Sequence, residues 1–164
     1  MAMASIASRG RLSRRALFAV PALVVAGAAF AQSSEITFKK SSLAIVTGGR
    51  EIKFDVELAL NDAERSRGLM FREKMGPYDG MLFDFYQDAP VSFWMKNTLI
   101  PLDMLFIAGD GTIKHIHANA TPLSTDSIPS QFPVRAVLEI NGGTAKLLGI
   151  KPGDKVRHPI FGNA

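Results

Sequence analysis

The sequence predicts an α+β domain, mainly β: a compact, barrel-like sheet of short strands with two short helices. Three observations carry this expectation. From Glu51 to Leu60 apolar and polar residues alternate, with Ile52, Phe54, Val56 and Leu58 on one side and Glu51, Lys53, Asp55 and Glu57 on the other. That is the period of a strand with one buried face. The other apolar runs are short and end at Gly or Pro, as strands between tight turns do. Only two windows carry helix signals, and each has room for about two turns.

Taken in order, Leu43 to Thr47 is expected as the first strand, Gly48-Gly49 as its turn and Glu51 to Leu60 as the returning strand. Asn61 or Asp62 caps a short helix, with Glu64 in its first turn and Gly68 at its end. "MGPYDG" is a turn, and "MLFDF" and "VSFWMKN" are short strands on either side of "YQDAP". Pro101 ends that segment, and Leu102 to Ile107 is the next strand. Gly109 to Gly111 turns tightly into a strand from Thr112 to Ala118. Thr121 to Pro133 is polar, carries Pro122, Pro129 and Pro133, and reads as a surface crossing. "RAVLEI" is a strand, "GGTAKLLGI" a short helix, and "KPGD" turns into a last strand from Lys155 to His158. Many short strands in one small unit favour a sheet curled towards a barrel.

The first residues stand apart from this domain. Arg9, Arg11, Arg14 and Arg15 precede an uncharged run from Ala16 to Ala31 that ends in Ala29-Phe30-Ala31. A basic region, a short apolar region and a small-x-small site are the parts of a secretory signal, expected to be cut after Ala31. Arg14-Arg15 before Leu17-Phe18 leaves a twin-arginine leader open beside ordinary Sec export. The expected organisation is a leader (1–31), a flexible lead-in (32–42) and one domain (43–164). The product would be periplasmic or secreted, and off the membrane once cleaved.

The leader also explains the charge. The chain has 19 Lys+Arg and 15 Asp+Glu, and residues 1–31 hold four Arg and no acid, so the rest carries 19 − 4 = 15 of each sign. A balanced domain without a Lys/Arg run argues against nucleic acid as a partner. With no cysteine, disulfides, thiolate metal ligands and Cys nucleophiles are excluded.

Four stretches, "GLMFRE" (Gly68 to Glu73), "GMLFDF" (Gly80 to Phe85), "FWMKNTLIPLDMLFI" (Phe93 to Ile107) and "GIKPGD" (Gly149 to Asp154), make the chain similar to the domain of unknown function 192 family. The likeness runs roughly from Val56 to His158. It implies a small, mainly β and frequently exported domain, and it implies no reaction. "GIKPGDKV" alone also resembles the turn of swapped-hairpin and double-psi barrels.

The candidate site begins in that long motif. On a strand, Trp94 and Lys96 share a face, and with Asn97 they could form a stacking and hydrogen-bonding platform for a small polar ligand. The plainer alternative is that Trp94 packs, Lys96 snorkels and Asn97 caps a turn. Asp103 is open to an ion pair with Lys96 or Arg72, which completes the ligand-binding set Arg72, Trp94, Lys96, Asn97 and Asp103. Glu139 shares a strand face with Arg135 and Val137 and is also open to pairing with Arg72 or Lys96. Together, Asp103 and Glu139 would be the carboxylate pair that an envelope hydrolase needs. His115 and His117, two apart on a strand, could ligate a metal with His158 as a third ligand. The several methionines read as adaptable core. The leading expectation is a non-catalytic module, without cofactor, for a small polar ligand or an envelope component.

Overall fold

The computed structural model describes residues 36–164; the leader, its cleavage site and the start of the lead-in lie outside the described residues. β1 (Lys39–Thr47) and β2 (Arg50–Ala59) form the expected hairpin, with Leu43 opposite Phe54 and Ile45 opposite Ile52. Gly48 and Gly49 turn it with φ of 53° and 74°, as a two-residue hairpin loop requires. The strand starts at Lys39, so residues 39–42, expected in the lead-in, are sheet. No apolar pattern announces them. They are ordered by the far half of β2, where Lys39 meets Leu58 and Ser42 meets Asp55.

α1 (Asp62–Arg67) carries the chain over to β3 (Asp79–Ala89), which runs parallel to β2. Then come β4 (Ser92–Phe93), β5 (Leu102–Ile107), β6 (Ile113–Ala120), β7 (Ile128–Pro129), β8 (Val134–Asn141), α2 (Thr144–Leu148) and β9 (Lys155–Arg157). Seven strands make one sheet in the order β6-β5-β8-β3-β2-β1-β9, while β4 and β7 pair with each other. The large sheet curls, and a single bridge, Thr112 to Lys155, brings its two edges together. The predicted mainly β, barrel-like fold with two short helices is what forms.

Gly111 permits that closure. Its N–H and C=O work at φ 84°, its carbonyl accepts from Val156 N at 2.8 Å, and a Cβ here would collide with the Val156 carbonyl oxygen. Beside it, Lys155 Nζ lies 2.7 Å from Asp110 Oδ2. The hydrogen bonds from Lys155 and Thr112 hold the Asp110 carboxyl well below the usual carboxylate range.

Both faces of the curled sheet are apolar, which makes two cores. Leu82, Leu105, Leu138 and Ile140 point inward with Phe54 and Val156. Met81, Phe83, Met104, Phe106 and Val137 alternate with them and point outward. The outward set is covered by α1 and by the segments around β4 and β7, whose Leu69, Met95 and Ile128 belong to the same cluster. A strand covered on both sides reads as a continuous apolar run rather than an alternation. That is why "LDMLFI" is buried at every position.

Two expectations are corrected here. "VSFWMKN" is strand only at Ser92–Phe93, because β7 offers just two residues to pair. The chain then turns, with Thr98 N donating to Met95 O and Asn97 at φ 57°. Accordingly, strand alternation does not set where Trp94 and Lys96 point. The crossing from Thr121 to Pro133 does contain a strand, β7. No helix among the described residues is long and apolar enough to cross a membrane.

Candidate functional site

A cleft of about 390 Å³ opens on the outer face of the sheet, between α1 and the segment that follows β4. Local sequence builds both walls. Asn61 Oδ1 accepts from Glu64 N at 2.9 Å, and Glu64 Oε2 accepts from Leu60 N at 2.6 Å, so α1 starts with reciprocal caps. Gly68 ends α1 at φ 47°, where an added Cβ would lie 3.3 Å from the Phe83 ring. The bare glycine lets the helix end rest on that ring. Arg65 ties the helix down, donating to Leu60 O at 2.9 Å and to Asp84 O at 2.8 Å. On the other wall, Phe93 meets Phe83, Phe85 and Phe106 edge-on, with centroids 5.1, 6.2 and 6.2 Å away. Such pairs add about 0.5–1.5 kcal/mol each beyond area burial.

Glu139 also lines this cleft. It sits on β8 between Met81 of β3 and Met104 of β5, both fully buried. The residue is 5% exposed. Its carboxyl has no hydrogen-bond or ion-pair partner among the described residues, yet neither oxygen is sealed off. Burial, with no other cause, pushes that carboxyl up to about 8. A carboxylic acid kept neutral near pH 7 in an apolar recess is the kind of perturbed group that marks sites.

The rim is cationic. Arg65 lies 5.4 Å from the Phe85 ring and is ion-paired to Asp62 at 2.6 Å. Arg67 lies 4.9 Å from the Phe71 ring, and Lys96 lies 5.2 Å from the Trp94 ring. Among the described residues neither Arg67 nor Lys96 is ion-paired to a carboxylate. Trp94 is half exposed at the mouth.

Of the five expected ligand-binding residues, the structure brings Trp94 and Lys96 to this cleft and places the other three elsewhere. Arg72 pairs with Glu57 at 2.6 Å, over a separate depression shared with Ser41 and Asp79. Asn97 holds loops together: its carbonyl accepts from Phe71 N at 2.8 Å, and its Nδ2 contacts Met70 Sδ at 3.8 Å. Asp103 pairs with neither Lys96 nor Arg72. It is fully buried, and its carboxylate accepts from Asn119 N at 2.8 Å, Gly143 N at 2.9 Å and Ala145 N at 2.8 Å. Two of these bonds, from Gly143 and Ala145, cap α2 from β5, since α2 has no side-chain cap of its own.

The carboxylate pair does not assemble. Asp103 stands opposite Ile140 and Met104 opposite Glu139, so Asp103 faces inward and Glu139 outward. Glu139 also lacks the ion pair with Arg72 or Lys96 that was open to it. The three histidines do not converge on one site among the described residues either. His115 stacks on Phe106 with centroids 5.6 Å apart, and burial, then His117, lowers its pKa. His158 has both ring nitrogens engaged: Nδ1 accepts from Ile160 N at 3.3 Å, leaving Nε2 to donate to Ser41 Oγ at 2.9 Å. Among the described residues no three His, Asp or Glu could hold a metal together.

Residues 44–158 match the model of the domain of unknown function 192 family, DUF192, described as an uncharacterised ACR. The chain belongs to the DUF192 family. Two crystal structures share its fold. One, from Sinorhizobium meliloti 1021, is 50% identical with a TM-score of 0.75, covers 77% of this chain and 98% of its own, and has a description that suggests a transcription regulator. The other is a protein of unknown function from Novosphingobium aromaticivorans DSM 12444. It is 43% identical with a TM-score of 0.71, covering 73% of this chain and 85% of its own. No curated protein matches the chain. The second half of the DUF192 domain supplies the residue that sequence reasoning weighed only as half of a carboxylate pair or as an ion-pair partner. Glu139 was visible as an acid inside the apolar run "AVLEI", but its lack of a partner was not.

Proposed function

We propose that this DUF192 protein is a non-catalytic binding module that takes a small polar ligand into the cleft between α1 and the segment after β4. The observation that carries this reading is the buried, unpartnered carboxyl of Glu139 at the base of an aromatic-walled recess. The Glu139 oxygens open to the cleft, and a charged donor brought there by a ligand would gain about 1.5–3 kcal/mol, as hydrogen bonds to charged groups do. Acid–base hydrolysis would want a second carboxyl close by, and the one first considered, Asp103, faces the other way.

The description of the Sinorhizobium relative raises DNA binding. The balanced charge after residue 31 weighs against it, as does the engagement of Arg65, Arg72, Arg135, Lys155 and Arg157 in ion pairs.

Trp94 is the only tryptophan and stands at the mouth, so its emission reports on the cleft without labelling. Screening small polar compounds by thermal shift should find ligands that raise the melting temperature and also change Trp94 emission. A ligand at 100 times its Kd would add about 2.7 kcal/mol of stability. If no compound moves either signal, or stabilising compounds leave Trp94 and a Glu139→Gln variant indifferent, the cleft is not the binding site.

We further propose that residues 1–31 are a leader removed on export, on the strength of the arginines, the apolar run and Ala29-Phe30-Ala31. The expected product in the periplasm begins at Gln32, as read by intact mass. Full-length protein retained in the membrane would overturn this. Blocked export of the Arg14→Lys, Arg15→Lys double variant would assign the twin-arginine route.

A further inference from the structure

Resting on the reading of this cleft as a binding site, we infer its ligand class: an amphoteric small molecule whose cationic nitrogen meets Glu139 at the base and whose anionic group meets Arg67 and Lys96 at the rim, with a flat apolar body between them. Three features of the cleft carry this. The base offers a single carboxyl flanked by Met81 and Met104, with no donor to it among the described residues. The group that most stabilises a carboxyl in such surroundings is a charged N–H donor, which supplies hydrogen bond and countercharge together. The rim offers the opposite: Arg67 and Lys96 rest on aromatic faces and keep their N–H groups for an incoming anion. The walls are Phe83, Phe85 and Phe93, which suit a flat apolar body.

The charges facing Glu139 across the cleft are Asp62, Arg65 and Arg67 from α1 and Lys96 from the opposite wall. Its strand neighbours Met81 and Met104 carry none. Burial raises the Glu139 carboxyl above the usual carboxylate range. Glu139 is protonated near neutral pH, and a cationic nitrogen binds its ionised form, so binding releases one proton to solvent. Affinity therefore rises from pH 6 to pH 8. A ligand that only accepts a hydrogen bond from the neutral acid would show the reverse.

The test uses 4-(aminomethyl)benzoate against its two halves, benzylamine and benzoate, read by calorimetry and by Trp94 emission. The amphoteric probe should bind at least tenfold more tightly than either half and tighten as pH rises. Glu139→Gln should remove both its advantage over benzoate and its pH dependence. Lys96→Met with Arg67→Met should remove its advantage over benzylamine. If one half binds as tightly as the whole, or affinity falls with pH, the ligand class is overturned while the binding reading stands. The same holds if all three probes fail but other compounds in the wider screen bind through Glu139. If nothing in that screen binds either, both readings fail together.

Discussion

Asp103→Ala is expected to cost the domain several kcal/mol, because buried backbone N–H donors lose their acceptor at about 1–3 kcal/mol each. The Asp103 carboxylate accepts three backbone N–H groups, from Asn119 at 2.8 Å, Gly143 at 2.9 Å and Ala145 at 2.8 Å. Two of the donors belong to the start of α2, whose first N–H groups have no partner within the helix. Truncation strands them beneath a residue with no exposure. Asp103→Asn should cost less, yet more than about 1 kcal/mol. One amide oxygen can still serve Asn119 and Gly143, while the amide nitrogen faces the Ala145 N–H donor to donor. Urea unfolding at fixed m-value measures both. A change within about 0.5 kcal/mol for Asp103→Ala, as for an exposed position, would show that α2 caps itself.

Glu139 should make the domain less stable as pH rises. Its folded pKa stands at about 8 against an ordinary 4.5, raised by burial. Between these values the folded state holds a proton that the unfolded chain has released. The contribution of Glu139 is therefore most favourable below about pH 4.5, falls through the interval and levels off above about pH 8. At about 1.4 kcal/mol per pH unit the accumulated loss is on the order of 3–5 kcal/mol. His115 and His158 act in the opposite sense at the acid end. Burial lowers both their pKa values, so stability is lost as pH falls below the ordinary histidine value. Subtracting the curve of Glu139→Gln removes the histidine contributions and isolates the carboxyl. The difference should slope downward from pH 5 to pH 8. Parallel curves would mean that Glu139 is already partnered or solvated, and would take the basis of the proposed site with it.

Much of the fold was legible because its signals are local. The alternation from Ile52 to Leu58, the Gly48-Gly49 turn and the Asn61–Glu64 cap each depend on residues within a few positions. The structure keeps all three. Where the signal was not local, the reading failed. Lys39 to Ser42 have no apolar pattern and are ordered by β2. "VSFWMKN" looks like a strand and loses its partner after two residues, which frees Trp94 and Lys96 to form a rim.

The sequence by itself determined the strands of the large sheet, the turns, the family and the presence of acids within two apolar runs, "PLDMLFI" and "AVLEI". It could not tell those acids apart. Only the tertiary structure did, through one register: Asp103 meets Ile140 while Glu139 meets Met104. That register turns Asp103 inward onto the backbone N–H groups of residues 119, 143 and 145, where its charge is satisfied. It turns Glu139 outward beneath α1, where no donor among the described residues reaches it. Whether a buried carboxyl is scaffold or site depends on what lies within about 3 Å of its oxygens, and those atoms come from residues far away along the chain.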